Sequence, residues 1–269
     1  MSRWTSQEIL EALSGLDEAR LDDDFLDLRT DEYRLIRYPQ HLLSPTLPAA
    51  QVVWSNTSRL LDLVFSEVSS QVANWDLDAI HWWVSNGTLP LETEAYLISH
   101  GGTITDTYWV LARDLDEDIV AQRRRSINID VKLVDDEAKL RDAIALETVG
   151  WGRTAPDEVT IDISLRETLR NLDNSSEFQF LAYLDGHPAS TGYCQITGEI
   201  ARLYGGVTLP QFRSQGCYQA VLFNRLHQAR VLGAKIAITR GRPSTSGHIL
   251  VDAGFSVHNI ENCYRMPIC

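Results

Sequence analysis

The chain of 269 residues is short of the residues that build metal sites and disulfide frameworks. It has only four cysteines, Cys194, Cys217, Cys263 and Cys269, and none lies in its first half. No CxxC pair or closely spaced histidine accompanies them, which argues against a zinc site. Their small number, together with an N-terminus that has no signal-peptide apolar core, favours free thiols in the cytoplasm.

Long apolar runs are also missing, and basic residues are in the minority. A membrane-spanning helix needs about 18 consecutive apolar residues, and no run in this sequence is that long, so we expect no membrane partner. With 24 Lys and Arg against 37 Asp and Glu, the formal net charge is −13. That charge argues against nucleic acid as a partner, which requires a basic face, and suits a cationic or amine substrate.

Several signatures of catalytic sites are absent from the sequence. There is no G-x-S-x-G of hydrolases, no H-E-x-x-H of zinc proteases and no G-x-x-x-x-G-K-[ST] phosphate loop. The apolar content of 44% and the charged content of 23% are those of ordinary globular chains. A chain of this length is expected to form one large or two modest domains.

A charged segment divides the chain into two compositionally different halves. The acidic stretch 113–118 is followed by three arginines at 123–125. Such blocks predict a solvated connector, which we favour over a nucleic-acid contact of the arginines. Six of the seven tryptophans precede this segment, and every cysteine follows it. We therefore predict an N-terminal domain at 1–122 and a C-terminal domain at 123–269.

Both halves nevertheless alternate strands and helices in the same order. Leu97 and Gly101 of the first half match Leu250 and Gly254 of the second at one constant offset. A repeated layout of this kind favours an internal duplication. The alternative is that any two α/β segments share such a rhythm.

One segment of the C-terminal half has the features of an anion site. An apolar strand, LYGGVTL, ends in a turn with Pro210, after which residues 213–216 open an amphipathic helix predicted over 215–232. The N–H groups at a helix N-terminus can bind a phosphate. Gly216 has no Cβ and lets the backbone approach a ligand closely, and Arg213 adds a forked cationic donor.

This segment resembles the acyl-CoA pyrophosphate loop of the GCN5-related N-acetyltransferases (GNAT), whose pattern is Gln/Arg-x-x-Gly-x-Gly/Ala. Arg213, Gly216 and Tyr218 fill the three named places, and Tyr218 departs from the pattern. The order of elements over about 140 residues is also that of a GNAT fold. The resemblance implies an α/β (α+β) fold with a mixed, mostly antiparallel sheet flanked by helices. The N-terminal half would be a degenerate GNAT-like copy in tandem.

The resemblance further implies acetyl-CoA as co-substrate and no metal. In the family, the strand before the loop carries a bulge and splays from its neighbour, and the pair Gly205-Gly206 is consistent with such a bulge. The residues implied in CoA binding lie on this strand, in the loop and on a later helix: Val207, Thr208, Leu209, Arg213, Ser214, Gln215, Gly216, Cys217, Tyr218 and Ser246.

The general base is less determined. The family often uses a Glu on the strand before the bulge, near the place where this chain has Arg202. Tyr204 and Glu199 are the remaining candidates for catalysis. Tyr204 could instead be a wall of the cleft, and Glu199, in the turn-like stretch ITGE, could be a solvated turn residue.

Two further residues bear on the route of transfer. Leu250 stands where the family has its general-acid tyrosine, so the thiolate would leave by another donor or unassisted, which a thiol pKa near 8.5 permits. Cys217 at a helix N-terminus would allow an acyl-cysteine route. No His or Asp is placed to activate this thiol, so direct transfer is favoured.

These features predict an N-acetyltransferase that moves an acetyl group from acetyl-CoA to the amine of a small molecule or peptide. The N-terminal half lacks the Arg-x-x-Gly loop and has Ser55, Asn56 and Thr57 before its helix, where they could cap it. The alternative is a non-catalytic acyl-CoA-binding or protein-interaction module. The acceptor amine and self-association, a homodimer included, are left open.

Overall fold

The computed structural model describes residues 4–14, 25–39, 43, 47–115 and 128–268. Contacts divide the chain into two compact units. The one that we call the N-terminal unit is built around Ser6–Leu111, with Gly241–Ala253 and residues 257–268. The C-terminal unit is built around Ala112–Arg240, with residues 4–5 and 254–256. The predicted boundary between 122 and 123 lies outside the described residues and stays a prediction.

The N-terminal unit combines a mixed sheet with four helices among its described residues. Its strands are β1 (Leu26–Arg29), β2 (Tyr33–Arg37), β3 (Ala50–Ser55), β4 (Ala79–Ser85), most of β5 (Thr103–Asp114) and most of β11 (Ser256–Pro267). Its helices are α1 (Ser6–Ser14), α2 (Leu61–Ala73), α3 (Thr93–Ser99) and α7 (His248–Asp252). The strands lie in the order β1-β2-β3-β4-β11-β5.

Helix α2 connects two parallel strands and supplies one side of the core of this unit. β3 and β4 pair in parallel, so the chain must cross over between them, and α2 makes this crossover. Val64, Val68 and Val72 of α2 recur every four residues and are buried in one cluster with Ile80 and Trp82 of β4. The helical period of these valines therefore positions α2 on the sheet.

The last strand of the chain completes the N-terminal unit. β11 lies between β4 and β5, and its antiparallel pairing with β4 runs from Glu261 opposite Ser85 to Pro267 opposite Ala79. Tyr264 of this strand is buried in the core cluster that α2 covers. The strand pattern of this segment is visible in the sequence, but its partner is not, because pairing over so long a separation leaves no local signal.

The C-terminal unit has the mixed, mostly antiparallel sheet that the resemblance implied. Its strands are β6 (Ile129–Leu133), β7 (Glu177–Leu184), β8 (His187–Thr197), β9 (Ile200–Thr208) and β10 (Ile236–Gly241, to Arg240 in this unit). Its helices are α4 (Glu137–Trp151), α5 (Glu158–Asp173) and α6 (Cys217–Val231). Strands β6 to β9 pair antiparallel in sequence order, and β10 pairs in parallel with β9 after the α6 crossover.

Helices α4 and α6 lie on opposite faces of this sheet. A Cβ on Gly192 of β8 would meet the guanidinium of Arg225 in α6. The next residue, Tyr193, is in register with Gln179 of β7, whose side chain bonds to Glu147 of α4. Since side chains alternate between the faces of a strand, α6 and α4 cover different faces.

Candidate active site

The candidate site begins with a β-bulge in β9. Thr191 of β8 pairs with Val207, whereas Tyr193 pairs with Tyr204, so β9 contains one residue more than β8 in this interval. Gly205 has a φ of 60°, a backbone conformation that favours glycine. A glycine of this kind in the bulged strand explains the register shift. The bulge expected at Gly205-Gly206 is confirmed.

Strand β9 separates from β10 where the bulge begins. The parallel ladder runs from Ile200 opposite Ile236 to Leu203 opposite Thr239. The Thr239 hydroxyl donates to the Leu203 carbonyl at 2.8 Å, and no pair of this ladder follows among the described residues. β9 nevertheless continues to Thr208. The backbone beyond the bulge thus lacks β10 as a partner, which is the splay that the resemblance implied.

The turn between β9 and α6 is open to solvent. A 3₁₀ turn at Pro210–Phe212 follows the strand, and the side chains of Arg213, Ser214 and Gln215 are exposed. Gly216 is the N-cap of α6, with a φ of 89° and no side-chain capping bond. Helices α4 and α5, in contrast, are capped by aspartates. Within the part of the chain that the structure describes, the first N–H groups of α6 therefore have neither intrahelical partners nor a side-chain cap at Gly216.

The geometry of Gly216 requires glycine and leaves room for a ligand. A residue with a side chain would be strained at this φ. Among the described residues outside its chain neighbours, the only atom within 4 Å of an added Cβ is Ile129 Cδ1 at 3.6 Å. The Nε of Arg213 donates to the carbonyl of Thr208 at 3.3 Å, so its guanidinium stays close to the turn. A positive charge and free helix-terminal amides are thereby brought together at one exposed turn.

The ring of Tyr218 does not block this turn. It is directed towards the bulge, where its Cε2 atom lies 3.1 Å from the position that a Cβ on Gly206 would occupy. No atom of the ring is within 4 Å of the equivalent position on Gly216. The departure from the family pattern at Tyr218 is thus accommodated by a glycine in the neighbouring strand.

Three residues at the end of β9 have different surroundings. Val207 is buried against α4, and its carbonyl accepts a hydrogen bond from the Ser190 hydroxyl. The hydroxyl of Thr208 lies 2.8 Å from that of Ser190. The N–H of Leu209 donates to the carbonyl of Ala189 at 3.1 Å, so it has a partner within the protein.

The two candidate catalytic residues lie at different places on β9. Tyr204 immediately precedes the bulge, and its ring stacks on Tyr193 with centroids 5.2 Å apart. Glu199 is exposed in the turn before β9, where its carbonyl accepts the N–H of Lys235. Gly205 lies six positions further along the chain, or about 20 Å at the rise of a β-strand. Only Tyr204 is next to the bulge.

The α4 face of the sheet holds a polar cluster beside Tyr193 and Tyr204. Nε2 of Gln179 donates to Glu147 of α4 at 2.8 Å and to the Thr191 hydroxyl at 2.9 Å. Gln179 is buried, and its Oε1 has no partner among the described residues. Burial lowers the pKa of Arg153, which follows α4, while the nearby charge of Glu147 acts against this shift.

A close helix–strand contact places this cluster near the bulge. A Cβ on Gly150 would lie 2.5 Å from Cγ2 of Val207, so the last turn of α4 lies directly on the end of β9. Glu147 is three residues before Gly150 and is on the same side of the helix. Its carboxylate therefore faces the sheet between the end of β9 and Gln179.

Two other predicted residues are not exposed at this turn. One is buried, and the other belongs to the N-terminal unit. Cys217 is buried at the start of α6, and burial raises the pKa of its thiol. This does not favour the acyl-cysteine route. Ser246 belongs to the N-terminal unit, where its hydroxyl accepts the N–H of Arg242 at 3.1 Å. Its assignment to the cofactor stays a prediction.

In the N-terminal unit, the segment before α2 is occupied by the protein's own ion pairs. The carboxylate of Glu32 accepts hydrogen bonds from the Thr57 hydroxyl and the Arg59 guanidinium, which also bonds to Glu67. These contacts lower the pKa of Glu32, with the Thr57 hydrogen bond as the largest cause. The N-cap of α2 is Leu60 and no side chain caps the helix, so the expected capping by residues 55–57 is wrong.

Neither a metal site nor a membrane-spanning helix is present among the described residues. Across the described ranges, no group of three or more His, Cys, Asp and Glu side chains is arranged to hold a metal ion. None of the helices there has the length and apolar character needed to span a membrane.

Comparison with known proteins gives matches only among solved structures. No family model matches the sequence, and no curated protein matches it. A GCN5-related N-acetyltransferase from Kribbella flavida is 15% identical, with 98% of this chain and 95% of that chain covered and a TM-score of 0.67. A GCN5-related N-acetyltransferase from Sphaerobacter thermophilus is also 15% identical, with coverages of 96% and 85% and a TM-score of 0.67.

A third structure shares the tandem organisation. A tandem GNAT protein from the clavulanic acid biosynthesis pathway is 14% identical, with 97% of this chain and 88% of that chain covered and a TM-score of 0.61. At such identities the similarity establishes the fold. The chain has the GNAT fold in a tandem arrangement, which confirms the predicted fold class.

Sequence reasoning did not single out Glu147, Gln179 or Arg225. Each is placed by the packing of a helix on a strand that lies far away in the sequence. The one local signal is helical spacing. The sheet-facing positions of α4 are Leu140, Ala143, Leu146 and Gly150, and Glu147 lies among them. An acidic residue on that apolar face is unusual and would have identified Glu147.

Proposed function

We propose that the C-terminal unit transfers an acetyl group from acetyl-CoA to the amine of a small molecule or peptide. One observation supports this most directly: the β9–β10 ladder ends at Leu203, and the bulge and the uncapped start of α6 follow within the next residues. The opened strand would accept the pantetheine arm, and the helix N-terminus would bind the pyrophosphate.

The residues around the turn would hold the cofactor. Free amides at the start of α6, in Cys217 and Tyr218, and the guanidinium of Arg213 would bind the diphosphate, with Ser214, Gln215 and Gly216 forming the turn beneath it. The absence of a side chain at Gly216 supports this assignment, because the methyl group of Ile129 is the one described atom near the position of its missing Cβ, apart from its chain neighbours. Val207 and Thr208 would flank the pantetheine arm, and Leu209 would contribute its side chain.

The chemistry follows from these positions. An N–H group at the bulge would polarise the thioester carbonyl, and the acceptor nitrogen would attack the carbonyl carbon. A C–N bond forms and the C–S bond breaks, so the electron pair leaves with the sulfur of CoA. The nitrogen loses one proton to a base, and the thiolate can leave unassisted or take a proton.

We place the base at Glu147, which would act through water. Its carboxylate faces the sheet beside Gln179, in the row of residues that leads through Tyr193 to Tyr204 and the bulge. Tyr204 would form the wall of the cleft at which the amine enters. Glu199 stays the competing candidate, although its exposed turn at the far end of β9 gives it less support.

One feature favours the second candidate function, a non-catalytic acyl-CoA-binding or protein-interaction module. Leu250, where the family has its general-acid tyrosine, is a buried apolar residue and cannot protonate a thiolate. The exposed turn and the bulge are compatible with either function.

An assay for thiol release separates the two functions. The protein is incubated with acetyl-CoA and a panel of amines (polyamines, amino sugars, amino acids and peptides with free N-termini), and free CoA thiol is measured with a disulfide reagent. Amine-dependent release, with mass spectrometry of the acetylated product, supports the transferase. Binding of acetyl-CoA without release across the whole panel supports the module instead.

A further inference from the structure

An arginine side chain is buried beneath the bulge. Arg225 of α6 is only 1% exposed. A Cβ on Gly192 of β8 would lie 2.7 Å from its Nη1 atom, and a Cβ on Gly206 of β9 would lie 3.9 Å from its Nη2 atom. The guanidinium therefore lies across the two strands, in the space left by two residues that have no side chains.

The bonds of this guanidinium go to the backbone at the bulge. Nη1 donates to the carbonyl of Tyr193 at 3.2 Å and to that of Tyr204 at 3.5 Å. Among the described residues, Nε has no hydrogen-bond partner and no carboxylate pairs with Arg225. Its guanidinium carbon lies 6.0 Å from the centroid of the Tyr218 ring, which carries no charge. A buried charge without a counter-ion is costly for folding, so stability alone is a poor reason for its presence.

The position of these two carbonyls connects Arg225 with the proposed chemistry. Tyr193 and Tyr204 are the last pair in register before the bulge. The carbonyl of Tyr204 and the N–H of Gly205 belong to one planar trans peptide, so a bond that fixes the first also fixes the direction of the second. The guanidinium thus holds the start of the bulge from the α6 face.

We propose that Arg225 is a positioning residue that fixes the bulge amides for polarisation of the thioester carbonyl. The proposal rests on the proposed function of the C-terminal unit. Arg225 touches neither substrate nor cofactor in this role. It acts through the peptide between Tyr204 and Gly205, and Gly192 and Gly206 are the glycines that make room for it.

Isotope-edited infrared spectroscopy tests this proposal without turnover. Acetyl-CoA labelled with ¹³C at the carbonyl is bound to the wild-type protein, to Arg225→Met and to Arg225→Lys. In the wild type, the carbonyl band should shift to lower frequency than in free acetyl-CoA. In Arg225→Met, most of this shift should be lost while the Kd for CoA changes by less than about threefold. In Arg225→Lys, part of the shift should remain.

Kinetics and thermal unfolding separate positioning from simple packing. With an accepted amine, Arg225→Met should lower kcat by about 100-fold with little change in the KM for acetyl-CoA. Its Tm should equal or exceed that of the wild type, because a buried unpaired charge is removed. Arg230→Met, an exposed change near the end of α6, is the control. Should Arg225→Met fail to unfold cooperatively, Arg225→Lys supplies the same readouts.

The outcomes distinguish the two proposals. An identical carbonyl shift in the wild type and in a folded Arg225 variant overturns the role of Arg225 alone. A wild-type protein that does not bind acetyl-CoA overturns the proposed function and this role with it. A lower Tm combined with an unchanged shift would show that Arg225 is a packing residue.

Discussion

A Cβ on Gly150 of α4 would lie 2.5 Å from Cγ2 of Val207 in β9, well inside van der Waals contact. Alanine has a higher helix propensity than glycine, by about 1 kcal/mol, and in an open position would stabilise the helix. Here the helix would have to move away from the strand that ends the bulge. Helix propensity alone therefore predicts that Gly150→Ala stabilises the protein, whereas this contact predicts that it destabilises it.

We expect Gly150→Ala to lower the free energy of unfolding by about 1 to 2 kcal/mol, measured by urea denaturation. The neighbouring Val149→Ala, at a side chain that is 69% exposed, should change it by less than about 0.5 kcal/mol. In a Val207→Ala background, Gly150→Ala should lower the free energy of unfolding by less than it does in the wild type, because the clashing methyl group of Val207 is absent. A Gly150→Ala protein as stable as the wild type would show that α4 does not rest on β9 as described.

The ring of Tyr218 and Gly206 form a second contact with a testable consequence. A Cβ on Gly206 would lie 3.1 Å from Cε2 of Tyr218, so Gly206→Ala should displace the ring towards the turn. We expect the Kd for acetyl-CoA to rise about tenfold, or 1.4 kcal/mol. Calorimetric titration measures this.

The matched control is Gly87→Ala, where the nearest described neighbour of an added Cβ is Ser85 Oγ at 4.0 Å. In a Tyr218→Ala background, Gly206→Ala should have a smaller effect, because the ring is no longer there to be displaced. An effect of Gly206→Ala that is equally large in both backgrounds would mean that the ring is not the cause.

The base is tested by a pair of isosteric changes. Glu147→Gln keeps the size of the side chain and removes its basicity, so kcat should fall about 100-fold or more while the KM for acetyl-CoA stays near the wild-type value. Glu199→Gln is measured beside it in the same thiol-release assay. If Glu199→Gln loses the activity and Glu147→Gln keeps it, the base lies at the turn before β9 instead.

His81 of β4 makes the stability of the protein depend on pH. Burial lowers the pKa of His81 to about 4. Its Nε2 atom is 2.9 Å from the Thr105 hydroxyl, and its Nδ1 atom has no partner among the described residues. The unfolded chain, with a pKa near 6.5, takes up the proton more readily than the folded one. Stability is therefore complete above about pH 6.5 and is lost as the pH falls towards 4.

We expect the wild type to lose about 2 to 3 kcal/mol more than His81→Gln between pH 7.5 and pH 4.5, measured by urea denaturation at both values. Other groups titrate in both proteins, and the comparison cancels them. Equal losses in the two proteins would show that His81 is accessible to protons in the folded state.

Local patterns were sufficient for the parts of the fold and site that are built from consecutive residues. The helix at 217–231, the turn before it and the bulge at Gly205-Gly206 depend on glycine conformations and on apolar period, which a sequence displays. Contacts between distant segments were not predictable in this way. The pairing of β11 with β4, the approach of Glu147 to Gln179 and the burial of Arg225 all depend on how elements pack after they form.

The N-terminal unit illustrates the same limit. Its sequence shows that the Arg-x-x-Gly loop is missing, but Thr57 could have been a helix cap. In the structure Thr57 instead donates to Glu32, and Arg59 completes the ion pairs before α2. We expect no CoA to bind there, because the carboxylate of Glu32 already accepts the hydrogen bonds that Thr57 and Arg59 of this segment donate.

The most direct test of acyl-CoA binding at the start of α6 is a calorimetric titration of CoA into the wild type, Gly216→Asp and Gly198→Asp. Both glycines have positive φ values, 89° and 56°, and both changes add the same charge, but only Gly216 is at the turn before α6. The expected result is a single CoA per chain for the wild type and Gly198→Asp, and no measurable binding for Gly216→Asp. Equal CoA affinity in all three proteins would contradict a cofactor site at this turn.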